Sequence, residues 1–118
     1  MNNTVEFWQY LDALAASSRL EVDRPRGSLH PRFPGQPYPF DYGYLAGTTS
    51  PDGGGIDVWI GSQGFGQITG LICTVDLFKR DGELKLLFGC TEEDVQIILE
   101  FVNDESMRAI YLPRHAGG

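Results

Sequence analysis

Positive charge is scarce in this chain. Nine lysines and arginines face sixteen aspartates and glutamates over 118 residues, a formal net charge of −7. That balance lacks the basic footprint needed to hold a nucleic-acid backbone or an anionic membrane surface, so neither partner is expected. A phosphate compound remains compatible, provided the few cations converge or a divalent ion supplies the charge. Cysteine is scarce too. Cys73 and Cys90 stand far apart and outside any Cys-x-x-Cys spacing, which fits two buried thiols in a reducing compartment. No apolar run approaches the ~20 residues that span a bilayer, and Met1–Glu6 is no basic-then-apolar leader, so a cytoplasmic location is expected.

Glycine and proline, by contrast, are plentiful: fifteen and seven residues, most of them between Pro25 and Gly66. This points to a turn-rich β architecture rather than a helical bundle. Asn3 followed by Glu6 is a helix-start pattern, and Phe7, Trp8, Leu11, Leu14 and Ala15 continue it at helical spacing to about Ser17–Ser18. Alternation predicts a strand over 19–24, 38–45 is a strand or a strand-like aromatic stretch, and 56–61 reads as a strong strand. Segments 67–76 and 83–89 read as a hairpin joined by the polar turn 77–82. Thr91 to Asp94 is a capping box opening a helix through Val95, Ile98, Leu99 and Val102, and a last strand is expected over 108–113.

The expectation is a single domain over 1–118: an N-terminal helix (1–18), a β-barrel (19–89), and a helix with a last strand (90–118). The class is mainly β (α+β), a small closed or partly closed barrel with both helices packed outside. Phe7 and Trp8 on the first helix are the side chains that a contact between copies of the chain would use.

Residues 38–60 carry the chemistry. Tyr38, Tyr42 and Tyr44 lead into a glycine loop bracketed by Asp52 and Asp57. Alone, Asp52 reads as a turn support after Pro51 and Asp57 as a strand-end surface charge. With the aromatic prefix, Tyr-Pro-Phe-Asp-Tyr-Gly-Tyr and Asp-Gly-Gly-Gly-Ile-Asp-Val resemble the signature of the soluble inorganic pyrophosphatases, Tyr-Pro-x-x-Tyr-Gly-Tyr then Asp-Gly-Asp-Pro-x-Asp-Val. A second block, Gly70 to Asp76 followed by Glu83-Leu84-Lys85, is similar to the family's strand-ending aspartate and Asp-x-Lys.

The resemblance implies an OB-like barrel and Mg²⁺-dependent hydrolysis of a phosphoanhydride, pyrophosphate foremost. It implies Asp52, Asp57, Asp76 and Glu83 (or Asp81) as metal ligands, with Asp57, Asp52 and Tyr42 in the catalytic centre. Lys85, Arg26, Arg32 and Tyr42 would hold phosphate, while Asp23 and Tyr38 would support them from behind. Read without the family, Lys85 is an outward strand lysine, Lys79–Asp81 a solvated hairpin tip, and His30 an exposed loop side chain.

Two departures bear on activity. Gly54 stands where the family has the aspartate that helps deprotonate the attacking water, and the late Tyr-Lys pair is absent, with Arg108 or Arg114 as substitutes by position. Losing a general base costs about 10²- to 10⁴-fold in rate. Slow hydrolysis is therefore expected. The alternative is a catalytically degenerate barrel that binds metal, a phosphate ligand or a protein partner.

Overall fold

Residues 4–30, 35–51 and 53–115 are described by the computed structural model; the Asn3 cap lies outside them. In chain order the elements are α1 (Thr4–Ala16), β1 (Arg19–Arg24), β2 (Asp41–Ala46), β3 (Ile56–Ile60), β4 (Ile68–Asp76), β5 (Asp81–Phe88), α2 (Glu92–Val102) and β6 (Met107–Pro113). The strands form one sheet in the order β1-β2-β3-β5-β4-β6. Every neighbouring pair is antiparallel except β3–β5, which is parallel.

Alternate side chains of the central strands are apolar on both faces, so each face needs cover. On one face Leu45, Val58, Leu71 and Leu86 pack with Trp8 and Leu11 of α1. On the other, Trp59, Ile72 and Leu87 pack with Val95, Ile98 and Val102 of α2. The helices therefore sit on opposite faces of the sheet. Trp8 is buried, and of the pair offered for contact between copies only Phe7 is exposed. Cys90 is buried and Cys73 half-buried, rather than both being enclosed.

The capping box forms as expected. Thr91 Oγ1 accepts from the Asp94 N–H (3.1 Å) and Asp94 Oδ2 accepts from the Thr91 N–H (3.0 Å). Asp94 Oδ2 also receives Ser62 N–H (2.9 Å) and Ser62 Oγ–H (2.7 Å), tying the turn after β3 to the start of α2. Burial pushes this carboxyl up, but those hydrogen bonds outweigh it and hold Asp94 below the usual range. A lowered carboxyl stabilises the fold above its unfolded value near ~4, and the contribution is lost as pH falls through the folded value.

The expected closure into a barrel does not appear among the described residues: β1 and β6 are two separate edges of an open sheet. The loop after α2 occupies one of them. Asn103 Oδ1 accepts from the Ala109 N–H (3.1 Å) and Asp104 Oδ1 from the Met107 N–H (2.8 Å), groups that closure would have required. At the other end of β6, Arg114 grips the Asp12 carboxylate of α1 with two nitrogens, each at 2.8 Å, and lies over the Trp8 ring. No helix among the described residues is long and apolar enough to cross a membrane.

Candidate functional site

Four of the residues singled out from the sequence meet on the α2-side face of the sheet, beyond the part that α2 covers. Tyr44 pairs with Asp57 across β2–β3, and Tyr42 with Trp59. The parallel β3–β5 register then brings Lys85 beside Asp57. Lys85 is buried, and its ammonium donates to Tyr42 Oη (2.8 Å), Asp57 Oδ2 (2.9 Å) and Glu83 Oε2 (3.0 Å).

Those three bonds use all three N–H donors of the lysine. Burial alone would lower the Lys85 ammonium, but the Tyr42 oxygen and the Asp57 carboxylate outweigh it and hold it well above the ordinary range. Burial likewise pushes the Tyr42 hydroxyl well up, so it stays protonated. Two carboxylates around one ammonium leave the group at about −1. An anion entering it needs further positive charge, or one of the three bonds to Lys85 must give way.

Glu83 rather than Asp81 reaches Lys85. Asp81 pairs with Asp76 two rungs further along the hairpin. Asp76 is buried, and its Oδ1 accepts from the N–H groups of Phe78 (2.9 Å) and Lys79 (3.1 Å). Burial raises the Asp76 carboxyl, yet these backbone bonds and one from Ser106 bring it below its usual value. Asp76 thus braces the β4–β5 turn and does not join the group around Lys85.

Asp52 and Arg32 lie outside the described residues. Around Asp52, Ser50 N–H donates to Gly54 O, Gly53 N–H to Ser50 O, and Ile56 N–H to Thr48 Oγ1 (2.9 Å each). Gly55 lies against β2 so closely that a Cβ there would stand 2.6 Å from Leu45 O and 2.7 Å from the Tyr44 ring.

Tyr38 is buried behind the group, against Tyr42 (5.7 Å between centroids), Trp59 (5.8 Å) and Phe101 (4.9 Å), with His30 stacked parallel to it. Arg26 is exposed and lies over Phe40, away from Lys85, and Asp23 is exposed.

The cation that faces the group is one the sequence pattern passed over, Arg24. Strand β1 runs Glu21↔Tyr44, Val22↔Gly43, Arg24↔Tyr42, with Asp23 bulged out between the last two pairs. In an unbroken register Asp23 would stand opposite Tyr42. The bulge turns an acid away and sets a guanidinium in its place, 5.8 Å over the Tyr38 ring. Strict alternation puts Arg24 on the far face, and nothing in the sequence but the Pro25 that follows marks the irregularity.

Among the described residues no group of three or more His, Cys, Asp and Glu side chains converges as a metal cage would. The donor type nevertheless suits a hard cation. Mg²⁺ commonly takes only one or two protein carboxylates and fills its shell with water and phosphate oxygens, and Asp57 with Glu83 supplies two.

An open mixed sheet with one helix on each face and a Tyr-Asp-Glu-Lys group at the uncovered end of one face defines the architectural class. Within that class the chain is similar to the inorganic pyrophosphatase of Thermus thermophilus, with a TM-score of 0.58 and 18% identity over 85% of this chain and 83% of that one. The likeness is one of fold. No protein-family model matches the sequence, and none of the curated proteins does.

Proposed function

We propose that this chain binds a small phosphoanhydride, pyrophosphate foremost, together with Mg²⁺, and hydrolyses it slowly. The observation that carries the reading is the convergence of Tyr42, Asp57 and Glu83 on the buried Lys85 ammonium, in a fold similar to that of a pyrophosphatase. Asp57 and Glu83 would hold the metal ion, with Asp52 as a further ligand. When bound, that ion supplies the positive charge the group lacks and polarises phosphate oxygens.

Lys85, turning one of its three N–H donors from the group to the ligand, and Arg24 then hold the phosphate oxygens. Arg24 meets no carboxylate among the described residues, so its guanidinium is available for a two-pronged contact. Tyr42, protonated, directs a hydroxyl into the same space. Water attacks one phosphorus, the bridging P–O bond breaks, and two phosphates leave with release of the proton. Gly54 has no side chain to take that proton, hence a slow rate.

Purified protein with pyrophosphate and excess Mg²⁺ is expected to release phosphate, and Asp57→Asn to reduce release to background. Gly54→Asp is expected to raise the rate. The second reading, binding without turnover, is favoured by the same missing carboxylate. It holds if wild type and Asp57→Asn are both silent while Mg²⁺ and pyrophosphate raise the wild-type melting temperature.

The two arginines provide a separate test. Losing a charged hydrogen bond of about 1.5–3 kcal/mol corresponds to roughly 10- to 100-fold in binding. Arg24→Ala is therefore expected to raise KM for pyrophosphate at least about tenfold, and Arg26→Ala less than about twofold. Equal effects would remove the bulge at Asp23 from the account.

A further inference from the structure

The sheet face that α1 packs against is covered only in part. Trp8 and Leu11 shield β2 to β5, whereas the same face of β6 and outer β4 meets solvent. The register sets Val75 beside Arg108, Cys73 beside Ile110 and Leu71 beside Leu112, and Leu77 N–H bonds to Ser106 O one rung further out. Leu77, Val75, Ile110 and Leu112 thus form one continuous apolar strip with Phe78 at its tip. Their exposures run from 45% at Leu112 to 75% at Leu77.

We infer that this strip is where a second copy of the chain docks, face to face about a two-fold axis. The five side chains expose roughly 500 Å² of apolar surface, at the upper end of what an ordinary monomer shows in one patch. A two-fold contact counts the patch twice, giving roughly 1,000 Å², the least that a specific interface needs.

The mode is face packing rather than strand addition. Along the outer edge of β6, Met107 and Ala109 have given their N–H groups to Asp104 and Asn103, and Pro113 has none, so three of the four outward positions cannot donate to an added strand. The edge is protected while the face beside it stays apolar.

Charge agrees with this occupant. The one charged side chain in the paired rows is Arg108, and its guanidinium is turned onto the Asp104 and Met107 carbonyls. Within those rows two copies of a chain at −7 meet without bringing carboxylates together, and the exposed charges of Glu105, Lys79 and Arg80 lie at the outer end of the strip. The inference is independent of the proposed hydrolysis, whose residues lie on the opposite face.

Sedimentation velocity of the full chain from about 1 to 100 μM, a range that brackets a micromolar contact, tests it. Wild type is expected to reach twice the chain mass. Ile110→Glu and Val75→Glu, each introduced twice per two-fold contact, are expected to weaken association at least 100-fold with melting temperatures near wild type. A wild type that stays monomeric throughout overturns the inference, and so does a dimer that either folded variant leaves intact. A monomer that instead co-sediments with phosphatidylserine vesicles through Phe78, Lys79 and Arg80 also overturns it, in favour of a membrane surface.

Discussion

Gly43→Ala is expected to take at least about 3 kcal/mol from the stability of the fold. A Cβ at this position would stand 2.0 Å from Glu21 O and 2.9 Å from both Glu21 C and Val22 Cα. All three are backbone atoms of β1, so no rotamer change relieves the clash; β1 must move away from β2. Overpacking a well-filled site costs about 1–3 kcal/mol when side chains can yield, and more when main chain must. A small domain has only about 5–15 kcal/mol of total stability.

The clash also falls beside the bulge that turns Arg24 toward Tyr42, so the variant would lose that arrangement as well. Urea unfolding followed by far-UV circular dichroism reads the effect, with a loss of at least about 3 kcal/mol expected. Gly82→Ala is the matched control. Its Cβ would meet nothing closer than Thr74 O at 3.5 Å, and a change within about 0.5 kcal/mol is expected there. A Gly43→Ala protein as stable as Gly82→Ala would mean that β1 does not cross β2 so closely.

This glycine also shows why the motif was readable while its causes were not. The Tyr-Gly-Tyr spacing is visible in the chain, and its tyrosines reach one face as alternation requires. That the glycine between them exists to let another strand pass requires knowing which strand lies alongside. Strands and helices were legible because their causes are local: the apolar runs of β3 to β5, the Thr91–Asp94 capping box, and the break between two runs that places a turn within 77–82, found at 77–80 with Asp81 and Gly82 already in β5. Element ends shifted by one to three residues. Strand β2 begins at Asp41 rather than 38, because Tyr38 exchanges hydrogen bonds with Gly27 and Ser28 in a side turn instead of joining the sheet.

What depends on pairing was not legible. The parallel β3–β5 contact that sets Asp57 beside Lys85 joins strands 28 residues apart in the chain. The outer edge of β6 is occupied by Asn103 and Asp104, two polar residues after a helix that carry no strand signal. The same limit separated the candidate ligands. Asp57, Asp76 and Glu83 look equivalent as strand-end acids, but Asp76 sits at the turn itself, where its carboxylate is drawn to the free N–H groups of Phe78 and Lys79. Asp57 and Glu83 have no such turn to serve and face Lys85 instead.

Lys85→Met is the second change with a large expected effect, because it removes the one cation that holds the site together. Methionine keeps the length and the apolar stem of lysine, so packing is nearly conserved and the loss is that of the ammonium. Asp57 and Glu83 then face each other without a counter-ion, at side-chain exposures of 26% and 12%. Removing one partner of a fully buried ion pair costs about 3–5 kcal/mol. The partial exposure of Asp57 admits water and reduces that figure, so a loss of about 2–3 kcal/mol is expected.

If the loss arises from uncompensated carboxylates, a second change that removes one of them should restore stability. Glu83→Gln added to Lys85→Met is expected to recover at least about 1 kcal/mol, the sign of a coupled pair in a double-mutant cycle. In the wild-type background Glu83→Gln alone should cost stability. Phosphate release should fall at least about 100-fold in Lys85→Met, because the anion loses the cation at the centre of the group. Stability unchanged in Lys85→Met would show that the three hydrogen bonds to Tyr42, Asp57 and Glu83 are not what holds β3 and β5 together at this end. Lost stability with unchanged phosphate release would place the chemistry elsewhere on the sheet.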